Sequence, residues 1–365
     1  MWVGKQNMMN IKSEGSSNID PPVIGITMGC PVGIGPEVIL RLLSGPERFS
    51  GFRPVVLGDM GVLEKCAREL AFNVKIEPWH PGADQLPDDP GVVPVLPISS
   101  LDPDRLVWGQ PDADTGVAMA DYIKEAVDQV QAGAIGAMVT CPIAKTVLQA
   151  AGYPFPGHTE MLASLCKAAD YGMMMAGNRL RVSLVTIHTP LARVPDILDQ
   201  EEVFRLIRLT HRTLCDDFGI GKPRIGVAGL NPHAGEDGLF GDEENRAIVP
   251  AIARSAAAGW QVTGPLPPDT VFYRAMAGEF DAVVCMYHDQ GLIPFKLIHF
   301  IDGVNVTMGL PIVRTSVDHG TAYDIAGKGL ASPASLEAAC RLASAIVINR
   351  SKCIAETQGE DVDAK

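Results

Sequence analysis

Short apolar runs alternate along this chain with longer stretches in which apolar residues return at helical spacing, a pattern of strands alternating with helices. The runs Val23–Met28, Pro54–Leu57, Val74–Pro78 and Gly136–Thr140 read as strands, as do Arg181–Ile187, Arg224–Leu230 and Asp281–Tyr287. Helices are predicted over Pro36–Leu43, Gly61–Leu70, Thr115–Ala132, Met161–Ala168, Glu202–Phe218, Glu243–Ala258 and Pro333–Asn349. In the third of these, Val117, Ala120, Ile123, Val127 and Val130 keep the period, with Asp114 or Thr115 as the N-cap. Gly219 and Gly259 stop two helices, and Ser332-Pro333 opens another. The stretch Pro81–Pro103 is the most loop-like. Alternation of this kind predicts an α/β fold, with parallel or mixed sheets covered by helices.

A chain of 365 residues exceeds what one core usually supports, so two lobes are expected. Residues 23–140 and 320–353 are assigned to a first α/β lobe, and residues 141–319 to a second. Residues 1–22 are polar, lack the apolar core of a signal peptide and read as a disordered lead. The acidic tail after Cys353 reads as frayed.

Composition acts mainly by exclusion. A formal charge of −13 argues against nucleic acid or an anionic membrane as partner, because phosphate neutralisation needs clustered Lys and Arg. There is no apolar span of membrane length. The eight cysteines are scattered, mostly within apolar runs, which points to packing in a reducing, cytoplasmic compartment rather than to a disulfide framework.

Candidate chemistry enters with three histidines. His188, His233 and His288 each stand just past the end of an apolar run. Carboxyl ends of parallel strands line one edge of a sheet, where ligands bind, so three imidazoles there could meet and hold a metal with an open position. A lone buried histidine is more often a hydrogen-bonded core residue, and no short metal-binding spacing such as H-E-x-x-H is present.

Other segments are dense in polar groups. The turn Gly25–Glu37 (GITMGCPVGIGPE) places Gly29, Gly33 and Gly35 before a helix, suited to an anion or merely to a tight turn; it lacks the dinucleotide fingerprint G-x-G-x-x-G. His158, Thr159 and Glu160 follow a proline-rich turn, where Thr159 would also serve as a helix cap. Glu236 follows His233 and could orient it or a substrate. A last stretch runs from His288-Asp289 through Lys296, Asn305 and Arg314 to Asp318–Gly329 (DHGTAYDIAGKG), with Lys296 and Arg314 supplying the positive charge an anionic ligand requires.

Together GITMGCPVGIGPE, PFPGHTEM, TIHTPL, GLNPHAGEDG, GPLPPDT, MYHDQGLIPFK and GVNVTMGLPIVRTSVDHGTAYDIAGKG resemble the 4-hydroxythreonine-4-phosphate dehydrogenase family of pyridoxal phosphate biosynthesis, from about Val23 to Asn349. The resemblance implies a two-lobed α/β/α architecture of the isocitrate and isopropylmalate dehydrogenase type, with a non-Rossmann NAD site. It also implies a homodimer with a shared active site, NAD or NADP as cofactor, and one divalent metal such as zinc, magnesium or cobalt. The reaction implied is oxidation, with decarboxylation, of 4-phosphooxy-threonine to 3-amino-2-oxopropyl phosphate.

Carried onto this chain, the resemblance makes His188, His233 and His288 metal ligands, and His158, Thr159, Lys296, Asn305 and Arg314 substrate contacts. His319, Gly320, Thr321 and Asp324 fall in the cofactor loop, and Lys296 or Asp289 would move the proton. The chain departs from the family's pattern at Cys30, where the turn usually carries an acid. Alternatives are the same fold acting on D-threonate or D-erythronate 4-phosphate or on a cis-dihydrodiol, a tris-histidine metal hydrolase, and a ligand-binding homologue without catalysis.

Overall fold

A computed structural model describes residues 20–45 and 51–363, with side chains not described at 354 and 356–363. The predicted lead lies outside the described residues up to position 19. Among the described residues the strands are β1 (Val23–Thr27), β2 (Arg53–Gly58), β3 (Lys75–Pro78), β4 (Val92–Pro97), β5 (Ala137–Thr140) and β6 (Gly172–Ala176). They continue with β7 (Arg181–Leu184), β8 (Arg224–Ala228), β9 (Gln261–Leu266), β10 (Ala282–Cys285), β11 (Val304–Met308) and β12 (Arg314–Val317). All join one mixed sheet in the order β3-β4-β2-β1-β5-β12-β11-β6-β7-β10-β8-β9, which bears out the α/β expectation.

From β3 to β12 every neighbour is parallel, and so are β7, β10, β8 and β9. Between the two sets, β12, β11, β6 and β7 pair antiparallel. Three reversals turn the second set around, so its carboxyl ends lie at the opposite edge of the sheet from those of the first.

Alternation along each strand sorts side chains between two faces. One face is continuous: Ile24, Ile26, Val56, Val139, Met174, Ile225, Val284 and Val306 join one core with the helices Gly35–Leu43, Gln200–Asp216 and Ala334–Asp363. The other face carries two separate cores. Val55, Leu57 and Met138 pack there under the helix Ala113–Gln131, whereas Met175, Val182, Leu184, Val283 and Cys285 pack under the helices Pro268–Met276 and His288–His299. Between these two cores the central strands β11 and β12 carry Asn305, Thr307, Arg314 and Ser316, on positions that alternate with Val304, Val306, Thr315 and Val317. A gap over polar positions is a cleft.

Several local expectations need correction. The helix from Ala113 is capped by Asp112, not Asp114, with Thr115 closing a reciprocal capping box. Thr159 is no cap, since the helix opens at His158 behind Gly157. β4 forms inside the stretch read as loop, and the final helix runs past Asn349 and through the tail read as frayed, to Asp363. Over Glu244–Ile248 the predicted helix is a π-turn, entering α-geometry at Val249.

Candidate active site

The cleft is a cavity of about 380 Å³ whose lining includes His158, Thr159, His188, Lys296, Asn305, Arg314, His319 and Gly320, together with Thr140, Lys145, Met173, Ser316 and Asp318. It gathers every expected substrate contact. Arg314 forms its floor, 3% exposed, and donates from Nη1 to Thr307 Oγ1 at 2.9 Å and from Nη2 to Thr140 Oγ1 at 2.7 Å. Burial draws its pKa down to about 9, against the field of Glu160, and leaves the guanidinium charged at neutral pH. Arg314 Nε, Asn305 Oδ1 and His158 Nε2 are sealed from solvent without a partner. Buried polar atoms carry that cost unless something fills it; a bound anion would do so for the Arg314 and His158 nitrogens, and a ligand N–H or O–H for Asn305 Oδ1. A larger cavity of about 750 Å³ beside Leu209 and Leu310 has its arginines neutralised internally, Arg212 by Asp216 and Arg350 by Asp217, and holds none of the candidate residues.

Burial drives the His158 imidazole well below its ordinary range, and Arg314 and Lys145 push the same way. Burial is also the main cause of lower values at His188 and His319. Each should therefore be neutral near pH 7. A histidine with a depressed folded pKa contributes stability above its unfolded value, near 6.5, and loses it as pH falls below that, at about 1.4 kcal/mol per pH unit down to the folded pKa. Urea unfolding between about pH 7 and pH 5 should show a steep acid loss. His158→Gln should flatten it, and an unchanged slope would contradict the assignment.

Two of the three strand-end histidines meet. β7, β10 and β8 are parallel neighbours, and the rings of His188 and His288 lie 6.0 Å apart. His233 stands on a separate turn in which five successive residues, His233 to Asp237, adopt left-handed φ values. Non-glycine residues pay for that conformation. Buried Glu244 braces the approach to the turn by accepting from the backbone N–H groups of Leu230 and Asn231, both at 2.7 Å, and Gln290 ties Gly229 to Met286. Among the described residues, no three His, Cys, Asp or Glu side chains are gathered closely enough to hold a metal ion.

The donor chemistry nevertheless fits one. His288 Nδ1 pairs with Asp289 at 2.7 Å and His233 Nδ1 with Glu236 at 2.9 Å, each leaving Nε2 free, the arrangement in which a carboxylate orients an imidazole ligand. Asp289 is thereby engaged outside the cleft lining. Lys296 is inside it, held by Asp318 through Oδ1 at 3.2 Å and through the backbone oxygen at 3.3 Å.

The loop after Asp318 docks onto the glycine-rich turn. Ile34 N–H donates to the Thr321 oxygen at 3.1 Å, and Cys30 Sγ lies 3.3 Å from Tyr323 Oη. Cys30 is thus a packed tie to this loop, its thiol pushed up chiefly by burial. Glu37, 1% exposed, accepts from Gly329 and Ala331 N–H at 3.2 and 2.7 Å, which fixes the loop's far end. His319 and Gly320 reach the cleft, whereas Thr321 and Asp324 do not line it. His319 Nε2 is buried without a partner, and nothing lies within 4 Å of where a Gly320 Cβ would stand, so a nucleotide could approach the backbone there. Lys145, Asp318, Thr140 and Ser316 escaped assignment from sequence; the alternation of RTSV was the available signal for Ser316.

A sheet whose split face leaves a cationic, partly unsatisfied cleft beside paired imidazoles defines an α/β enzyme for a small anionic substrate. The chain belongs to the family described as pyridoxal phosphate biosynthetic protein PdxA, which it matches over residues 51–343. It is 54% identical over 339 residues to a 4-hydroxythreonine-4-phosphate dehydrogenase of Desulfosudis oleivorans, covering 91% of this chain and 97% of the relative. It is 45% identical over 334 residues to a D-threonate 4-phosphate dehydrogenase of Cupriavidus necator, covering 90% and 98%. The crystal structure of a 4-hydroxythreonine-4-phosphate dehydrogenase from Klebsiella pneumoniae superimposes with a TM-score of 0.81 at 42% identity, covering 89% of this chain and 99% of that one.

Proposed function

We propose that this protein is an NAD(P)-dependent 4-hydroxythreonine-4-phosphate dehydrogenase, oxidising 4-phosphooxy-threonine and releasing CO2 to give 3-amino-2-oxopropyl phosphate. The observation that carries the reading is the cleft floor, where buried Arg314, Asn305 and His158 hold polar atoms that lack partners. Neutral His158 offers a hydrogen bond and Arg314 its charge to the substrate's phosphate, with Thr159 and Asn305 fixing orientation. Lys296, paired with Asp318, would accept the hydroxyl proton only as the free amine, after its ammonium has passed a proton on to Asp318 or solvent; Asp289 orients His288. His188, His233 and His288 would hold a divalent metal, with His319, Gly320, Thr321 and Asp324 at the cofactor. Bound there, the metal would supply Lewis-acid polarisation of the hydroxyl oxygen and the nicotinamide a hydride acceptor.

A homodimer is part of the proposal. The helix His288–His299 and the turn after it expose Ile293, Leu297, Phe300 and Ile301 at 65–85% beside His288, an apolar surface suited to a second copy at the edge of the site. Cys30, Cys66, Cys141, Cys166, Cys215, Cys285 and Cys340 form no disulfide among the described residues, which suits a cytoplasmic enzyme. No helix among the described residues is long and apolar enough to cross a membrane.

The Cupriavidus relative favours D-threonate 4-phosphate as the second reading. Both follow from one assay: NADH or NADPH formation by metal-reconstituted protein on each phosphorylated acid. Preferential turnover of the amino acid supports the first reading, preferential turnover of threonate phosphate supports the second, and no reduction of either nucleotide ends both.

A further inference from the structure

We propose that Lys145 is a further substrate-binding residue, the movable cation that closes on the phosphate group held at Arg314 and His158. The inference rests on the phosphorylated-substrate reading above and names a residue that reading does not use. It begins from the cations of the cleft. Arg314 is held in place by one N–H from each fork end, to Thr307 and Thr140, and its buried Nε has no partner among the described residues. Lys296 is bound to Asp318. Lys145 lines the same cavity with no hydrogen-bond or ion-pair partner among the described residues, although the chain as a whole carries a charge of −13.

Its placement is specific. Lys145 opens the short helix Lys145–Ala150, directly after the loop leaving β5, and its side chain lies over Gly157. A Cβ at Gly157 would stand 3.4 Å from Lys145 Cε and 3.9 Å from Nζ, so the end of the lysine side chain lies within van der Waals reach of the residue preceding His158. His158, Arg314 and Lys145 line the same cavity, and the buried His158 ring feels the charge of both cations. Glu160 also lies near Gly157, with Oε2 3.5 Å from that Cβ position, but does not reach Lys145 as an ion pair, so the ammonium is left for a ligand. A phosphate dianion in this cavity would meet a fixed guanidinium, a neutral imidazole N–H and a flexible ammonium. Arginine on the floor sets geometry, whereas lysine on a flexible stem follows the substrate in and out.

The test compares Lys145→Met and Lys145→Arg with the parent protein, by steady-state kinetics on 4-phosphooxy-threonine and by the thermal shift given by inorganic phosphate alone. A charged hydrogen bond of ordinary strength predicts a KM raised roughly 10- to 100-fold in Lys145→Met. The kcat and the KM for NAD should change little, and the phosphate-induced shift should disappear. Lys145→Arg should recover most of both. An unchanged KM together with an unchanged phosphate shift in Lys145→Met would overturn the proposal, as would a collapse of kcat at constant KM. Should the parent protein bind phosphate through Lys145 yet reduce no nucleotide, the dehydrogenase reading would fail and the assignment of Lys145 would stand.

Discussion

Replacing His288 by alanine should abolish turnover and bound metal together. His288 opens a helix at the end of β10, shares its Nδ1 with Asp289 and faces His188 at a ring separation of 6.0 Å. Losing Lewis-acid assistance to a developing alkoxide costs several kcal/mol, so kcat should fall on the order of a thousandfold. Metal analysis of the purified variant should show a matching loss of stoichiometry. The fold should survive, because the His288 side chain is 35% exposed and supports no core contact that alanine would hollow out. Asp289→Asn should cost less, about 10- to 100-fold in metal affinity or activity, since it removes only the orienting carboxylate. Full metal content in His288→Ala would remove this residue from the ligand set.

The second large effect is expected at Arg314. Its guanidinium is a buried cation with no carboxylate within ion-pair distance among the described residues, braced by two threonine hydroxyls. Substitution by methionine keeps the volume and removes a costly buried charge, so the thermal midpoint should hold or rise slightly, even though two hydroxyls lose a partner. Catalysis should suffer far more. Loss of a charged contact to the substrate's anion predicts kcat/KM lower by about 100- to 1,000-fold. Arg314→Lys should recover little, because an ammonium cannot span Thr140 and Thr307 at once. Stability unchanged with activity lost is the signature of a binding cation; activity retained would place the anion elsewhere.

These two residues also mark how far the sequence could be read. The strands ending near the three histidines are visible as apolar runs, since β7, β8 and β10 are buried on both faces and need apolar residues throughout. β11 and β12 were not drawn as strands, because VNVTM and RTSV put polar residues on alternate positions and such short runs resemble turns. That alternation is the functional signal: the apolar set faces the continuous core, Asn305, Arg314 and Ser316 line the cleft, and Thr307 braces Arg314 from beneath. β6, a run of methionines, and the helix His288–His299, interrupted by Pro294, carry weak periodicity and were missed for that reason.

The sequence by itself determined the α/β class, the family, and the chemical character of the site, because motif order and residue type are properties of the chain. It also placed His188 and His288 at strand ends, since an apolar run followed by histidine leaves few other readings. Tertiary structure alone decided that the two parallel sets run in opposite senses, that one face of the sheet splits into two cores, and that the gap between them is floored by Arg314. It also decided that Lys145, Glu37 and Asp318 join the site or its support, and that His233 stands apart from its two partners within a single chain. The physical reason is common to all of these. Local pattern fixes which face a side chain takes, but the distance between residues far apart in sequence depends on strand order and helix packing, which non-local burial sets.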